Sequence, residues 1–175
     1  MLYIIDGYNL MHALAPGEIT AGNLEDHRRD LVEQVINFAG LSGDRAAVVF
    51  DSANAEAATS EAVPSTAVTV HYASASESAD ILIGKLVQEE LKKAAAAREK
   101  ADIRVCVVSA DWEVQKGAMQ EHVERLSPRN FITGLKKNEN RVANQPRMDR
   151  MRWKLEHKVD VETLRKLEKL RREED

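Results

Sequence analysis

Four aspartates stand where α/β proteins keep their reactive groups. Asp6 closes the apolar run Leu2–Ile5, Asp51 follows Ala46–Phe50, and Asp111 follows Ile103–Val108 by way of Ser109 and Ala110. Short apolar runs rich in β-branched residues read as buried strands. Ligands of open α/β sheets bind beyond the carboxyl ends of such strands. The fourth acid, Asp80, lies three residues before Ile83 on a helical stripe formed by Ile83, Leu86, Val87, Leu91 and Ala94. That spacing turns Asp80 toward the sheet, and Glu77, three residues earlier, shares its face. An inward carboxylate there is costly unless it is paired or bound to metal. On their own, Asp6 and Asn9 read equally well as turn caps. The recurrence of acids is what favours chemistry.

In a parallel sheet the strand carboxyl ends share one edge, so these acids can converge. Clustered carboxylates without Lys or Arg partners repel one another, and a hard divalent cation relieves that repulsion. An oxygen-only ligand set selects Mg²⁺ or Mn²⁺ over zinc. His12, His27, His71, His122 and His157 are scattered, without the spacing of a zinc site. The reaction that fits is phosphodiester hydrolysis, in which metal ions hold the phosphate, activate a water and stabilise the leaving oxygen.

The elements that must position these groups alternate in type. After the opening strand, Pro16-Gly17 and Gly22-Asn23 mark a loop. Asn23 then caps a helix bearing Leu24, Leu31, Val35 and Phe38 that ends at Gly40. Ala46–Phe50 forms a second strand, residues 52–66 a loop or flap, and Ala67–Tyr72 a third strand. Ser74 and Glu77 have capping-box spacing for a helix over Ala73–Ala97. Ile103–Val108 is the strongest strand pattern. A short helix is expected over Trp112–Met119, an edge strand over Val123–Leu126, and a helix from Ser127-Pro128. This order predicts a mainly parallel sheet flanked by helices.

Length and composition fit a globular chain of 175 residues, with 43% hydrophobic and 31% charged residues. No apolar run reaches the roughly 20 residues of a membrane span, and no signal-peptide pattern opens the chain. Cys106 is the single cysteine and sits inside a strand pattern, which excludes an intrachain disulfide. A cytoplasmic location is expected. Residues 1–135 hold 12 Lys and Arg against 20 Asp and Glu, whereas residues 136–175 hold 13 against 9. The division expected is a catalytic domain over 1–135 and a basic helical extension over 136–175 packed on the same body. Within the extension, Lys136–Gln145 reads as a connector and Asp160 as the cap of a last helix. Arg147, Arg150, Arg152 and Lys154 are candidates for phosphate contact and Trp153 for base stacking. Met148 and Met151 read as packing residues.

The stretches IIDGYN (Ile4–Asn9), VVFD (Val48–Asp51), SESAD (Ser76–Asp80) and SAD (Ser109–Asp111) resemble the YacP-like branch of the NYN-domain ribonucleases, relatives of the PIN-domain nucleases. Arg125-Leu126-Ser127 and Leu167–Arg172 extend the likeness in the same order. The resemblance implies a PIN-like three-layer α/β/α sandwich and a metal-dependent endoribonuclease using Mg²⁺ or Mn²⁺. It implies Asp6, Asp80 and Asp111 as the main metal-binding acids, Asn9, Asp51 and Glu77 as supporting groups, and Ser109 as a small polar neighbour. One departure stands out. The family commonly carries an acid and then glutamine three and four residues after the last aspartate; here Gln115 fits but Val114 replaces the acid. Glu113 is offset by one residue, about 100° around a helix.

The reading is thus an endoribonuclease acting on RNA, with mRNA as the expected substrate and the ribosome as a candidate platform. A substrate presented on so large an assembly needs less intrinsic affinity, which suits an acidic nuclease. Two alternatives stay open: a catalytically weak RNA- or ribosome-binding module on the same fold, and an aspartyl-phosphate phosphatase with Asp6 as nucleophile. The last is poorly served, since Tyr8 stands where such enzymes place their second acid.

Overall fold

In the computed structural model, residues 1–52, 57–96, 104–111 and 123–143 are described. The apolar runs become a six-stranded sheet. Its strands are β1 (Leu2–Asp6), β2 (Arg45–Phe50), β3 (Thr59–Ala62), β4 (Val68–Tyr72), β5 (Val105–Val108) and β6 (Val123–Leu126). They lie in the order β3-β4-β2-β1-β5-β6, all parallel except β3. The N-terminal strand is therefore central, with Ile5 opposite Val48 on one side and Val108 on the other. Strands covered on both faces need continuous rather than alternating apolar sequence. Ile4, Ile5, Val48, Val49, Val107 and Val108 are all fully buried.

Four helices are described: α1 (Gly7–Leu14), α2 (Leu24–Ser42), α3 (Ala79–Ala96) and α4 (Pro128–Ala143). Successive strand residues point to opposite faces, and this divides the core in two. Ile5, Val48 and Val108 pack with α1, α2 and α4, while Ile4, Val49 and Val107 pack with Ala79, Ile83 and Val87 of α3. Three aromatic rings knit the first half. Tyr3 meets Phe38 at 5.0 Å and Phe131 at 5.6 Å between centroids, and Phe38 meets Phe131 edge-on at 4.9 Å. In the second half, the buried Glu90 of α3 pairs with Arg45 of β2 and tethers that helix to the sheet.

Several expectations need correction. Residues 7–14, to which the sequence pattern assigns no element, form a helix. The second helix passes Gly40 and stops at Gly43, whose φ of 71° lets its N–H reach the Ala39 carbonyl at 2.9 Å. Asn23 stands at the cap position of α2, but its side chain turns back to the Thr20 N–H at 2.6 Å and the Glu18 carbonyl at 2.8 Å. The flap expected over 52–66 contains β3, an exposed edge strand held antiparallel to β4 by backbone pairing. The helix expected from Ala73 begins at Ala79. Ser74 and Glu77 instead form a turn, with the Glu77 N–H on the Ser74 carbonyl at 3.1 Å. The connector expected from Lys136 is helical as far as Ala143. β6 and the start of α4 agree with expectation, and the Ser127 hydroxyl caps the Asn130 N–H at 3.2 Å. The expected helix over Trp112–Met119 and the residues from 144 onward, including all five candidate RNA contacts, lie outside the described residues. No described helix is long and apolar enough to cross a membrane.

Phe131 is 1% exposed and joins α4 to both Tyr3 and Phe38. Phe131→Ala should cost about 3–5 kcal/mol, read as a lowered urea midpoint. Burial pushes the Cys106 thiol up to about 12. It should therefore resist thiol reagents near neutral pH until the protein is unfolded.

Candidate active site

The site is built on Asp6, the last residue of β1 and the N-cap of α1. The residue is 5% exposed, and both carboxylate oxygens accept hydrogen bonds. Oδ1 accepts the Asn9 backbone N–H at 3.0 Å, and Oδ2 accepts the Asn9 side-chain amide. The Ser109 hydroxyl, just past β5, donates to Oδ2 at 3.4 Å. Ser109 Oγ in turn accepts the Asp111 N–H at 3.0 Å. One hydrogen-bonded unit thus ties β1, α1 and the β5 carboxyl end together. Asp6 is thus the cap of α1, with its carboxylate at the carboxyl edge of the sheet.

Gly7 is required by what lies beneath it. A Cβ at that position would stand 2.3 Å from the Phe50 ring, so only glycine lets α1 start so close to β2. Phe50 is sandwiched by further aromatics, with Tyr8 at 5.7 Å edge-on and Tyr72 stacked at 5.7 Å. The Arg28 guanidinium of α2 covers both Tyr8 and Phe50, at 5.3 and 5.6 Å from their centroids, and donates to the Tyr8 hydroxyl. Sequence reading missed this cluster. Its signal was available: Arg28 falls four residues after Leu24 and three before Leu31, a cation on the apolar stripe of α2.

The remaining aspartates follow strand ends or open a helix at the same edge. Asp111 follows Ser109 and is exposed, and Asp51 follows the end of β2 and is exposed. Asp80 lies in the first turn of α3, which starts at this edge because β4 ends there. The expected inward orientation of Asp80 is not what is found. The buried stripe of α3 runs through Ala79, Ile83, Val87 and Glu90, and Asp80, one residue off it, is exposed. Glu77 precedes the helix rather than sharing a helical face with Asp80, and it sits 2.7 Å from Lys85 Nζ. The donors at the edge are all oxygens, a chemistry that fits a hard cation. Among the described residues, no three of His, Cys, Asp and Glu stand together as an enclosing set.

The YacP-like NYN domain model matches residues 3–172. The chain belongs to that family. YacP-like NYN domains have a nuclease-type fold, and NYN and PIN-like nucleases are generally dependent on divalent metal. Among solved structures, Rae1 (YacP) from Bacillus subtilis matches with a TM-score of 0.64 at 24% identity, over 98% of this chain and 95% of that one. A single-residue mutant of the same protein matches with a TM-score of 0.63 at 23% identity, over 81% and 79%. These likenesses bear out the PIN-like α/β fold. No curated protein matches significantly.

The two roles of Asp6 separate by substitution. Asp6→Asn keeps an acceptor for the Asn9 N–H and should change stability by about 0.5 kcal/mol or less. Asp6→Ala removes the cap and should cost about 0.5–2 kcal/mol. Thermal melts of the two variants beside wild type check this.

Proposed function

We propose that this YacP-like NYN domain is a metal-dependent endoribonuclease that hydrolyses phosphodiester bonds of RNA, with mRNA as its substrate. The observation that supports this best is the buried Asp6 carboxylate, fixed by Asn9 and Ser109 at the carboxyl edge where Asp111 and the first turn of α3 also arrive. Asp6, Asp80 and Asp111 would hold Mg²⁺ or Mn²⁺. A bound ion supplies charge to the phosphate and leaving oxygen and a nucleophilic water near neutral pH.

The chain's own residues have distinct parts in this reading. Each Asp6 oxygen has two lone pairs, so the contacts from Asn9 and Ser109 orient the carboxylate and leave it able to accept further. Asn9, with one bond from its backbone and one from its side chain, prevents rotation about the Asp6 Cβ–Cγ bond. Ser109 sets the distance between the Asp6 carboxylate and the backbone of Asp111. Asp80 and Asp111 are exposed and approach an incoming phosphate from the solvent side. Asp51 and Glu77 are supporting groups; Glu77, beside Lys85, acts on the charge balance of the edge. In the basic extension over 136–175, Arg147, Arg150, Arg152 and Lys154 neutralise phosphates and Trp153 stacks on a base. Presentation of mRNA on the ribosome supplies affinity that the acidic body lacks, in the cytoplasm.

A second reading, an RNA- or ribosome-binding module with weak catalysis, draws on the finding that, among the described residues, no three acids stand together as a metal site. Cleavage assays separate the two. Asp6→Asn and Asp80→Asn should each lower Mn²⁺-dependent RNA cleavage by about 10²-fold or more, with RNA binding within a few-fold of wild type. EDTA should abolish cleavage and Mn²⁺ restore it. Wild type that binds RNA but cleaves none with Mn²⁺, ribosome-bound messages included, would leave the binding module.

A further inference from the structure

Arg28 occupies an unusual place for a cation. Its side chain is 20% exposed, and it lies over two aromatic faces on the core-facing stripe of α2. The Tyr8 hydroxyl accepts from Nη2, Glu25 accepts from Nη1 at 3.0 Å, and buried Nε has no acceptor among the described residues. The two partners differ in kind. Tyr8 is half-buried, two residues from Asp6, and braced against Phe50. Glu25 is 75% exposed, and exposed ion pairs contribute little and exchange readily. Arg28 is thus a cation locked on one side and replaceable on the other.

Its position gives that arrangement a purpose. Phe50 and Tyr72 end adjacent parallel strands, in register with each other, at the edge that carries Asp6. From that edge a groove of about 340 Å³ runs between α2 and the β3–β4 hairpin. Arg28, Arg29 and Tyr72 line it, with Val32 and Val70 apolar and Glu25, Glu33 and Glu61 acidic, so the acids outnumber the cations. The acids make this a poor place for a second phosphate, but they can accept from base amino groups. A single phosphate at Arg28 followed by a base on Tyr72 matches that lining.

We propose that Arg28 is a preorganised anchor for one phosphate of single-stranded RNA flanking the cleavage point, and that Tyr72 stacks the adjoining base in the groove. The RNA phosphate displaces Glu25 and takes its place on the guanidinium. A charge-assisted bond from Nη1 to a phosphate oxygen takes the place of the one to Glu25 while Nη2 stays on Tyr8. This subsite rests on the ribonuclease reading and adds to it the path of the RNA over the α2 side of the sheet.

The test is anisotropy of a short single-stranded oligoribonucleotide in EDTA, titrated with salt, beside steady-state cleavage with Mn²⁺. Arg28→Gln should weaken binding about tenfold at low salt and reduce the salt slope by about 0.7, the share of one single-strand phosphate. Its cleavage should show a raised KM and a kcat within a few-fold of wild type. Tyr72→Leu should weaken binding about fivefold or more with the slope unchanged, as loss of stacking does. Glu25→Gln should tighten binding about two- to threefold, and its exposure makes it harmless to folding. The alternative is that Arg28 only staples α1 to α2. In that case Arg28→Gln lowers Tm and kcat, Glu25→Gln leaves affinity unchanged and neither alters the salt slope; this outcome overturns the subsite alone. Wild type that neither binds nor cleaves RNA overturns the ribonuclease reading and the subsite with it.

Discussion

The hydrogen bond from the Asn9 backbone to Asp6 Oδ1 is the joint on which the rest depends. It satisfies a donor at the start of α1, where helix N–H groups have no intrahelical partner. It also fixes the one buried carboxylate of the central strand at the rim of the sheet. A helix cap is usually exposed; here the short segment Asp6–Asn9 caps the helix and holds a buried carboxylate, so the orientation of that acid follows from the fold of the backbone. Ser109 completes the arrangement from the other side, and it can do so only because β5 lies beside β1.

Around that joint the packing is aromatic. Gly7 allows α1 to rest on Phe50, Tyr72 and Tyr8 flank the same ring, and Arg28 closes the stack from α2. Edge-to-face and offset contacts of this kind are directional, unlike aliphatic burial. The start of α1 is therefore held in rotation as well as depth. On the opposite half of the sheet, α3 is anchored near its far end by Glu90 and Arg45, leaving its first turn at the edge that carries Asp6.

β1, β2 and β5 were legible from continuous apolar runs, β4 from its apolar–polar alternation and β6 from the apolar ends of a short edge segment, and the parallel direction from the intervening helices. β3 was not, because Thr59, Ser60, Glu61 and Ala62 are all exposed and only backbone pairing makes them a strand. α1 was hidden because its first turn, Gly7-Tyr8-Asn9, reads as turn chemistry. The start of α3 was placed early by a capping-box pattern that forms a turn instead. Asp80 was placed inward by its three-residue spacing from Ile83, whereas the buried stripe passes through Ala79, one residue or about 100° away around the axis. The family was legible from four short motifs, and residue identity alone marked Asp6 and Asn9. The Tyr8–Phe50–Arg28 cluster joins residues 20 and 42 positions away from Tyr8, a proximity that exists only after folding.

The place of β1 in the sheet has a consequence for how the chain is made. Of the six described strands, β1 is made first yet lies inside the sheet, and its second neighbour, β5, is 103 residues later at the Ile5–Val108 pair. Pairings of such sequence separation form late. Asp6 emerges early but meets Ser109 only when most of the chain has been synthesised. A prematurely terminated product ending before β5 would contain three of the four aspartates and no assembled edge. The order of the strands thus keeps the Asp6–Ser109 contact from forming on an incomplete chain.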